Sequence, residues 1–135
     1  MALGELIVED KGRITGERVL DANGPKIETS METQGTYRGA ETREIPTFWS
    51  IPNEDGGMYG EGQGVITTLD HQDMATWTGQ GIGKFEGSIM KFRGSIFFRT
   101  SSIEGQLSFL NNLVGVFEFE ADQQGNCSSK VWEWK

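Results

Sequence analysis

The chain of 135 residues carries 20 acidic against 12 basic side chains, a formal net charge of −8, which argues against sequence-independent binding to nucleic acid because such binding rests on clustered lysine and arginine. Nineteen glycines, about twice average usage, stand beside three prolines and eight phenylalanines, a strand-rich composition for a single domain over residues 1–135 that buries roughly two thirds of its unfolded surface. The lone cysteine, Cys127, excludes an internal disulfide, no stretch approaches the ~20 apolar residues of a membrane helix, and the opening MALGELIVED lacks signal-peptide character, so the expected location is cytoplasmic, away from membranes.

In chain order, Glu5 to Asp10 sets Leu6 and Val8 against Glu5, Ile7 and Glu9. Lys11-Gly12 is expected to turn the chain into a second strand, Arg13 to Ala22, as a tight hairpin. Asn23-Gly24-Pro25 is a further turn. The strand Lys26 to Tyr37 follows, with Ile27, Thr29, Met31, Thr33 and Tyr37 on a mildly apolar face and a wet face opposite. Arg38-Gly39-Ala40 leads into Glu41 to Ile51, where Ile45, Thr47, Trp49 and Ile51 share a face and Pro46 suggests an edge or a bulge.

After the exposed loop Asn53 to Gly57 comes the most distinctive stretch, Tyr59 to Arg99. Two strands, Tyr59 to Leu69 and Met74 to Phe85, flank the polar turn Asp70-His71-Gln72-Asp73 as a long hairpin. Gly60, Gly62 and Gly64 alternate along the first strand and Gly79, Gly81 and Gly83 along the second, so each has one face almost without side chains. Glycine weakens a strand unless a bend or a close approach needs it, and alternate glycines on neighbouring strands suit a sheet that coils tightly and closes on itself. The similarity between the two glycine runs is too short to be a repeat architecture.

Glu86-Gly87 turns next, and Ser88 to Thr100 sets Met90, Phe92, Gly94, Ile96 and Phe98 on one face. Between Ser101 and Asn112 the period changes. Ser101 and Glu104 have capping-box spacing, and Leu107, Leu110 and Val114 are spaced as on a helix, predicting a turn or two of helix or 3₁₀ that closes a barrel end. Leu113, Phe117 and Phe119 share the face of the next strand, and Ser128 to Lys135 is the last, with Trp132 and Trp134 on one face. Eight or nine strands with short turns and no helical linkers predict an all-β fold, an antiparallel up-and-down β-barrel. Eight strands make a barrel that side chains fill or that holds one small ligand.

The GEGQG strand paired with WTGQGIG, the later RGSIFF, the short LSFLNN and the final VFEFEAD with KVWEW resemble small bacterial proteins of unassigned function whose fold is similar to the allene oxide cyclase barrel, a calycin-like architecture. The resemblance implies an eight-stranded antiparallel barrel, often oligomeric, with an apolar interior. It transfers no catalytic residue: in the plant cyclases the cavity holds a fatty-acid epoxide and a buried carboxylate is implicated, and the resemblance assigns that role to no particular acid of this chain.

The sequence holds several candidate chemistries. Asp70, His71 and Asp73, with Glu54 and Asp55, offer ligands for a divalent metal, yet one histidine leaves most such sites incomplete and a tight turn uses these residue types for its own hydrogen bonds. The turn is the preferred reading, with no metal and no cofactor expected. The glycine runs lie inside strands rather than in the strand-to-helix turn of a dinucleotide site, and no serine or cysteine has the surroundings of a nucleophile. Asn126-Cys127-Ser128 matches a glycosylation pattern by accident in a chain without an export signal. Lys84, Lys91, Arg93 and Arg99 gather against the single acid Glu86, which reads as a solvated outer face or, more sharply, as a patch for an anionic head group.

Glu61 lies between two glycines with Tyr59 and Gln63 on its face. If that face points inward, a low-dielectric interior favours its neutral form and makes it the candidate catalytic acid; if outward, it is a solvated carboxylate. The candidate ligand-binding residues are Tyr59, Gln63, Trp77, Phe92, Phe98, Phe117, Phe119 and Trp132. The leading expectation is a barrel binding an apolar or amphipathic small molecule. The alternatives are a cyclase or isomerase of a lipid-derived substrate, by analogy of fold, and a filled barrel serving oligomerisation. Self-association is expected from Trp49 and from apolar residues on both faces near Phe97.

Overall fold

The structure, a computed structural model, describes residues 3–135. Eight strands follow in order: β1 Leu3–Asp21, β2 Lys26–Tyr37, β3 Ala40–Pro52, β4 Met58–Thr68, β5 Met74–Glu86, β6 Ile89–Arg99, β7 Val114–Ala121 and β8 Asn126–Trp134, with one 3₁₀ turn at Ser108–Leu110. Each pairs antiparallel with the next, and β8 pairs back onto β1, closing the barrel. The expected fold class is the observed one.

The hairpin expected at Lys11-Gly12 is not there. β1 runs unbroken through it, Lys11 pairing with Gln34 of β2 and Ser128 of β8. Gly12 serves a close approach rather than a turn, since a Cβ there would strike the Glu32 carbonyl. The Leu6/Val8 alternation also slips: the register to β8 shifts between these residues, so Ile7 and Val8 are both buried and Leu6 is exposed. β3 is not an edge, and its register to β2 is the same on either side of Pro46. The turn at Arg38-Gly39 is a two-residue loop with both φ positive, 47° and 81°, the primed geometry that matches strand twist.

The inner face of the long hairpin is its glycine face. Gly60 pairs with Gly81 and Gly62 with Gly79, and Gly81 pairs on its other side with Gly94 of β6. Bulky rings from neighbouring strands fill the space. A Cβ at Gly83 would lie 2.7 Å from the Phe92 ring, and one at Gly62 3.0 Å from the Phe48 Cβ and 3.3 Å from the Trp77 indole.

One end of the barrel is plugged by the segment between β6 and β7. Leu107, Leu110 and Leu113 are buried there against Ile7, Val8, Tyr37, Ile66, Ala75 and Phe98. The expected helix reduces to the single 3₁₀ turn: Val114 begins β7, and no side chain caps the turn. Asp73 ties the plug down, its Oδ2 accepting from the Leu107 N–H at 2.7 Å. At the other end a smaller cluster, Met31, Ala121 and Cys127 with Ile14, Phe48, Met90 and Phe119, partly closes the barrel.

Candidate functional site

Between the two clusters lies a cavity of about 90 Å³. Its apolar wall comes from Phe48, Phe92, Phe117 and Phe119 with Ile96 and Val131, and its polar residues include Asp10, Thr33, Tyr37, Glu44, Trp77 and Ser129. Strand alternation explains the set. Thr42, Glu44, Pro46 and Phe48 are the inward residues of β3, because their β4 partners Thr68, Ile66, Gly64 and Gly62 face in.

Glu44 is buried with two donors on its carboxylate: the Tyr37 hydroxyl 2.5 Å from Oε1 and the Trp77 indole N–H 2.6 Å from Oε2. Trp77 reaches it from β5 only because Gly64 lacks a side chain, as a Cβ at that position would lie 2.6 Å from the indole Cε2. Burial, and secondarily the nearby Asp10 charge, push the Glu44 carboxyl up to about 8, against the lowering pull of its two donors. Asp10, opposite Gly35 of β2 and Ser129 of β8, accepts from the Ser129 hydroxyl at 2.5 Å. Burial raises its carboxyl to about 6. The same burial, with Glu44 and Asp10 close by, pushes the Tyr37 hydroxyl well above the usual phenol range. Thr33 lies directly across the ladder from Glu44; it is 4 % exposed, and its hydroxyl has no hydrogen-bond partner. The arrangement thus places two poorly solvated carboxyls, one of them protonated near neutrality, at the edge of an aromatic void. Such groups can exchange protons or take hydrogen-bond donors.

Of the residues singled out in the sequence, Trp77, Phe92, Phe117 and Phe119 line this cavity, and Glu61 borders it with its carboxylate turned away to the outer face. Phe98 does not: it is packed in the plugged end, edge-on to Tyr37. Glu61, Tyr59, Gln63 and Trp132 have their side chains on the outer face. Glu61 is exposed and accepts from the Tyr59 hydroxyl at 2.6 Å, and Trp132 lies in an outer groove with Leu3, Val116 and Trp134. The physical reason is parity: with the glycines turned inward, Tyr59, Glu61 and Gln63 must turn outward. The inward orientation on which a catalytic Glu61 depends is therefore absent. Glu61→Gln is expected to move stability by no more than about 0.5 kcal/mol, as for surface changes generally, and to leave interior binding unaltered; a denaturant titration with a binding isotherm checks both.

The polar turn is built as a turn. The Asp70 Oδ1 accepts from the Thr68 hydroxyl at 2.7 Å and the Gln72 N–H at 2.9 Å, and His71 adopts a left-handed φ of 61°. The basic cluster lies on the outer face, Lys91 Nζ sitting 2.7 Å from Glu86 and 3.6 Å from Glu120. Trp49 is partly covered, with the Lys26 ammonium 4.3 Å above its ring.

Sequence reasoning missed Glu44, Asp10 and Thr33 as site residues. Ile45, Thr47, Trp49 and Ile51 form the more apolar row of β3, yet they face out. The signal that finds Glu44 is indirect: once the β4 glycines are assigned inward, the register carries Pro46 and Phe48 in with them, and Glu44 follows.

No family model matches the chain, and no curated protein matches it. Solved structures do. A protein of unknown function from Clostridium acetobutylicum superposes with a TM-score of 0.81 at 12% identity over 100% of both chains. A conserved protein of unknown function from Rhodopseudomonas palustris does so with a TM-score of 0.72 at 12% identity over 98% of each. At that identity the likeness is one of fold.

Proposed function

We propose that the barrel is a binding protein for a small molecule with an apolar body and a polar end, held in the interior cavity. The observation that carries this reading is a void walled by four phenylalanines and bordered by buried groups whose hydrogen bonding is incomplete, Thr33 above all. A core built only for stability fills such space and satisfies such groups. The cavity volume is several times what one water needs and well below the roughly 300 Å³ at which drug-sized sites begin. A ligand of about four to six heavy atoms suits it, and a long lipid chain does not.

The second reading is an isomerase of a comparably small substrate on an allene oxide cyclase-like barrel. One observation favours it: the Glu44 carboxyl sits at the cavity edge, bonded to the Tyr37 hydroxyl and the Trp77 N–H, and burial pushes it up to about 8, within reach of the range in which a general acid or base works.

The test of the binding reading is a titration with isobutanol followed through the Ile96 and Val131 methyl resonances. Saturable shifts at these two interior sites are expected in the wild-type chain. In Ile96→Phe, which grows into the void, they should vanish while the melting curve stays cooperative. Isobutanol that moves only outer-face resonances would sink the reading.

A further inference from the structure

We propose that the interior cavity takes a small organic ammonium, its head held among Asp10, Glu44 and Thr33 and its alkyl body against the phenylalanine wall. The inference rests on the binding reading above and names the ligand class of that site. Its first support is the charge of the lining. Two buried carboxyls, Asp10 and Glu44, border the void beside Glu61, whose carboxylate is turned out to Tyr59, while none of the residues around it is a lysine, arginine or histidine, so no internal cation compensates them. A buried carboxylate without a cation is costly, so Glu44 is held protonated, and a bound ammonium takes the place of that proton.

The second support is the balance of donors and acceptors. Each Glu44 oxygen has one protein donor, and the Asp10 Oδ1 has the Ser129 hydroxyl. A carboxylate accepts up to about four hydrogen bonds, so acceptor capacity is left over at both groups. The Thr33 hydroxyl, across the ladder from Glu44 and buried in the same wall, has no partner at all. A ligand group rich in donors is what this end lacks, and an ammonium supplies three where a hydroxyl supplies one. A carboxylate ligand supplies none and meets like charge. The third support is the opposite wall, whose phenylalanines give the alkyl body an apolar surface to bury against.

Binding of this kind is linked to pH. The titratable groups facing the head are Asp10 of β1, Tyr37 of β2 and Glu44 of β3, with the Cys127 thiol of β8 close enough to Asp10 to be pushed up by burial and by that charge to about 11. From β4 to β7 the inward residues of the lining are glycines, Trp77, phenylalanines and Ile96, and the Glu61 carboxylate is outside. An ammonium therefore displaces the Glu44 proton, and its affinity rises with pH between 6 and 8.5.

The experiment compares isobutylammonium, isobutanol and isobutyrate by methyl shifts of Ile96 and Val131 in the full chain. Isobutylammonium is expected to bind at least about tenfold more tightly than isobutanol at pH 7.5, the worth of one charge-assisted contact, and isobutyrate not to enter. Affinity for the ammonium should rise at least about fivefold from pH 6 to 8.5, and Glu44→Gln and Asp10→Asn should each abolish the preference over isobutanol. Should either variant fail to fold, the Glu44 carboxyl carbon of the wild-type chain gives the same answer, moving to its ionised shift when the ammonium is added. Equal or tighter binding of isobutanol, or a carboxyl shift that does not move, overturns the ammonium assignment and leaves the cavity reading standing. Entry of none of the three overturns both.

Discussion

Gly64→Ala is expected to destabilise the barrel by about 3–5 kcal/mol, lowering its melting temperature by more than 10 °C at the ~4 °C per kcal/mol of a domain this size. One methyl group is all it adds. The new Cβ would overlap the Trp77 indole nitrogen and lie 2.6 Å from Cε2, a rigid ring rather than the free end of a flexible side chain. Overpacking of this kind costs about 1–3 kcal/mol. The ring cannot retreat without releasing its 2.6 Å hydrogen bond to Glu44, and a buried acceptor left without a donor costs a further ~1–3 kcal/mol. The control is Gly16→Ala, where the added Cβ has nothing within 4 Å; it should be neutral or slightly stabilising, since alanine narrows the unfolded ensemble. In a Trp77→Leu background the Gly64→Ala penalty should shrink by about half or more, because the two positions share one volume. A penalty independent of residue 77 would show that the loss arises in the β4 backbone and not at the indole.

That glycine also marks how far the sequence could be read. From Lys26 onward the strand bounds and short turns, and with them the closure, follow from period-two alternation and from Gly60, Gly62, Gly64, Gly79, Gly81 and Gly83, and the observed barrel agrees with them there. The candidate site hung on a single binary choice, whether those glycines face in or out. Both orientations have a local rationale, because glycine relieves crowding inside a barrel and also thins its outer cover. The choice propagates through the register: inward glycines bring in Pro46 and Phe48 beside Gly64 and Gly62, set Glu44 into the wall and turn Glu61 out. Hydrophobicity misleads at β3 for a physical reason. In the outward row Ile45, Thr47, Trp49 and Ile51, the large Trp49 is partly covered by Lys26 and Tyr59, whereas the inward row carries an acid held by Tyr37 and Trp77 from two other strands. A polar residue buried by partners 7 and 33 positions away leaves no trace in local periodicity. At Lys11-Gly12 the error has the opposite origin. Glycine there admits the Glu32 carbonyl of β2, a contact made by the fold and not by the dipeptide.

Stability is expected to fall as pH rises through the neutral range, against the common pattern in which carboxylates stabilise proteins as they ionise. The Glu44 carboxyl is raised from 4.5 to about 8 and that of Asp10 from 3.8 to about 6. In both cases the folded chain holds a proton that the unfolded chain has released, so unfolding gives up protons between the two values and is favoured by higher pH. The stabilisation from these groups is fully present below about pH 4, declines as each folded-state value is passed, and is gone above about pH 8. At ~1.4 kcal/mol per unit, Glu44 alone gives about 4 kcal/mol between pH 5 and its folded-state value, and a fall in melting temperature of about 15 °C between pH 5 and pH 9 is expected. The exposed carboxylates with lowered values, Asp70, Glu86 and Asp122, act with the opposite sign, but their window lies at and below the ordinary carboxylate range, so they leave the slope above pH 5 untouched. Glu44→Gln keeps the volume and an acceptor for the Trp77 N–H while removing the ionisation. It should flatten the melting temperature to within about 3 °C between pH 6.5 and 9, leaving the smaller Asp10 contribution between pH 5 and 6.5. A wild-type melting temperature that climbs from pH 5 to pH 9 would mean that both carboxyls are ionised and paired throughout, and the protonated Glu44 on which the cavity's chemistry rests would have to be given up.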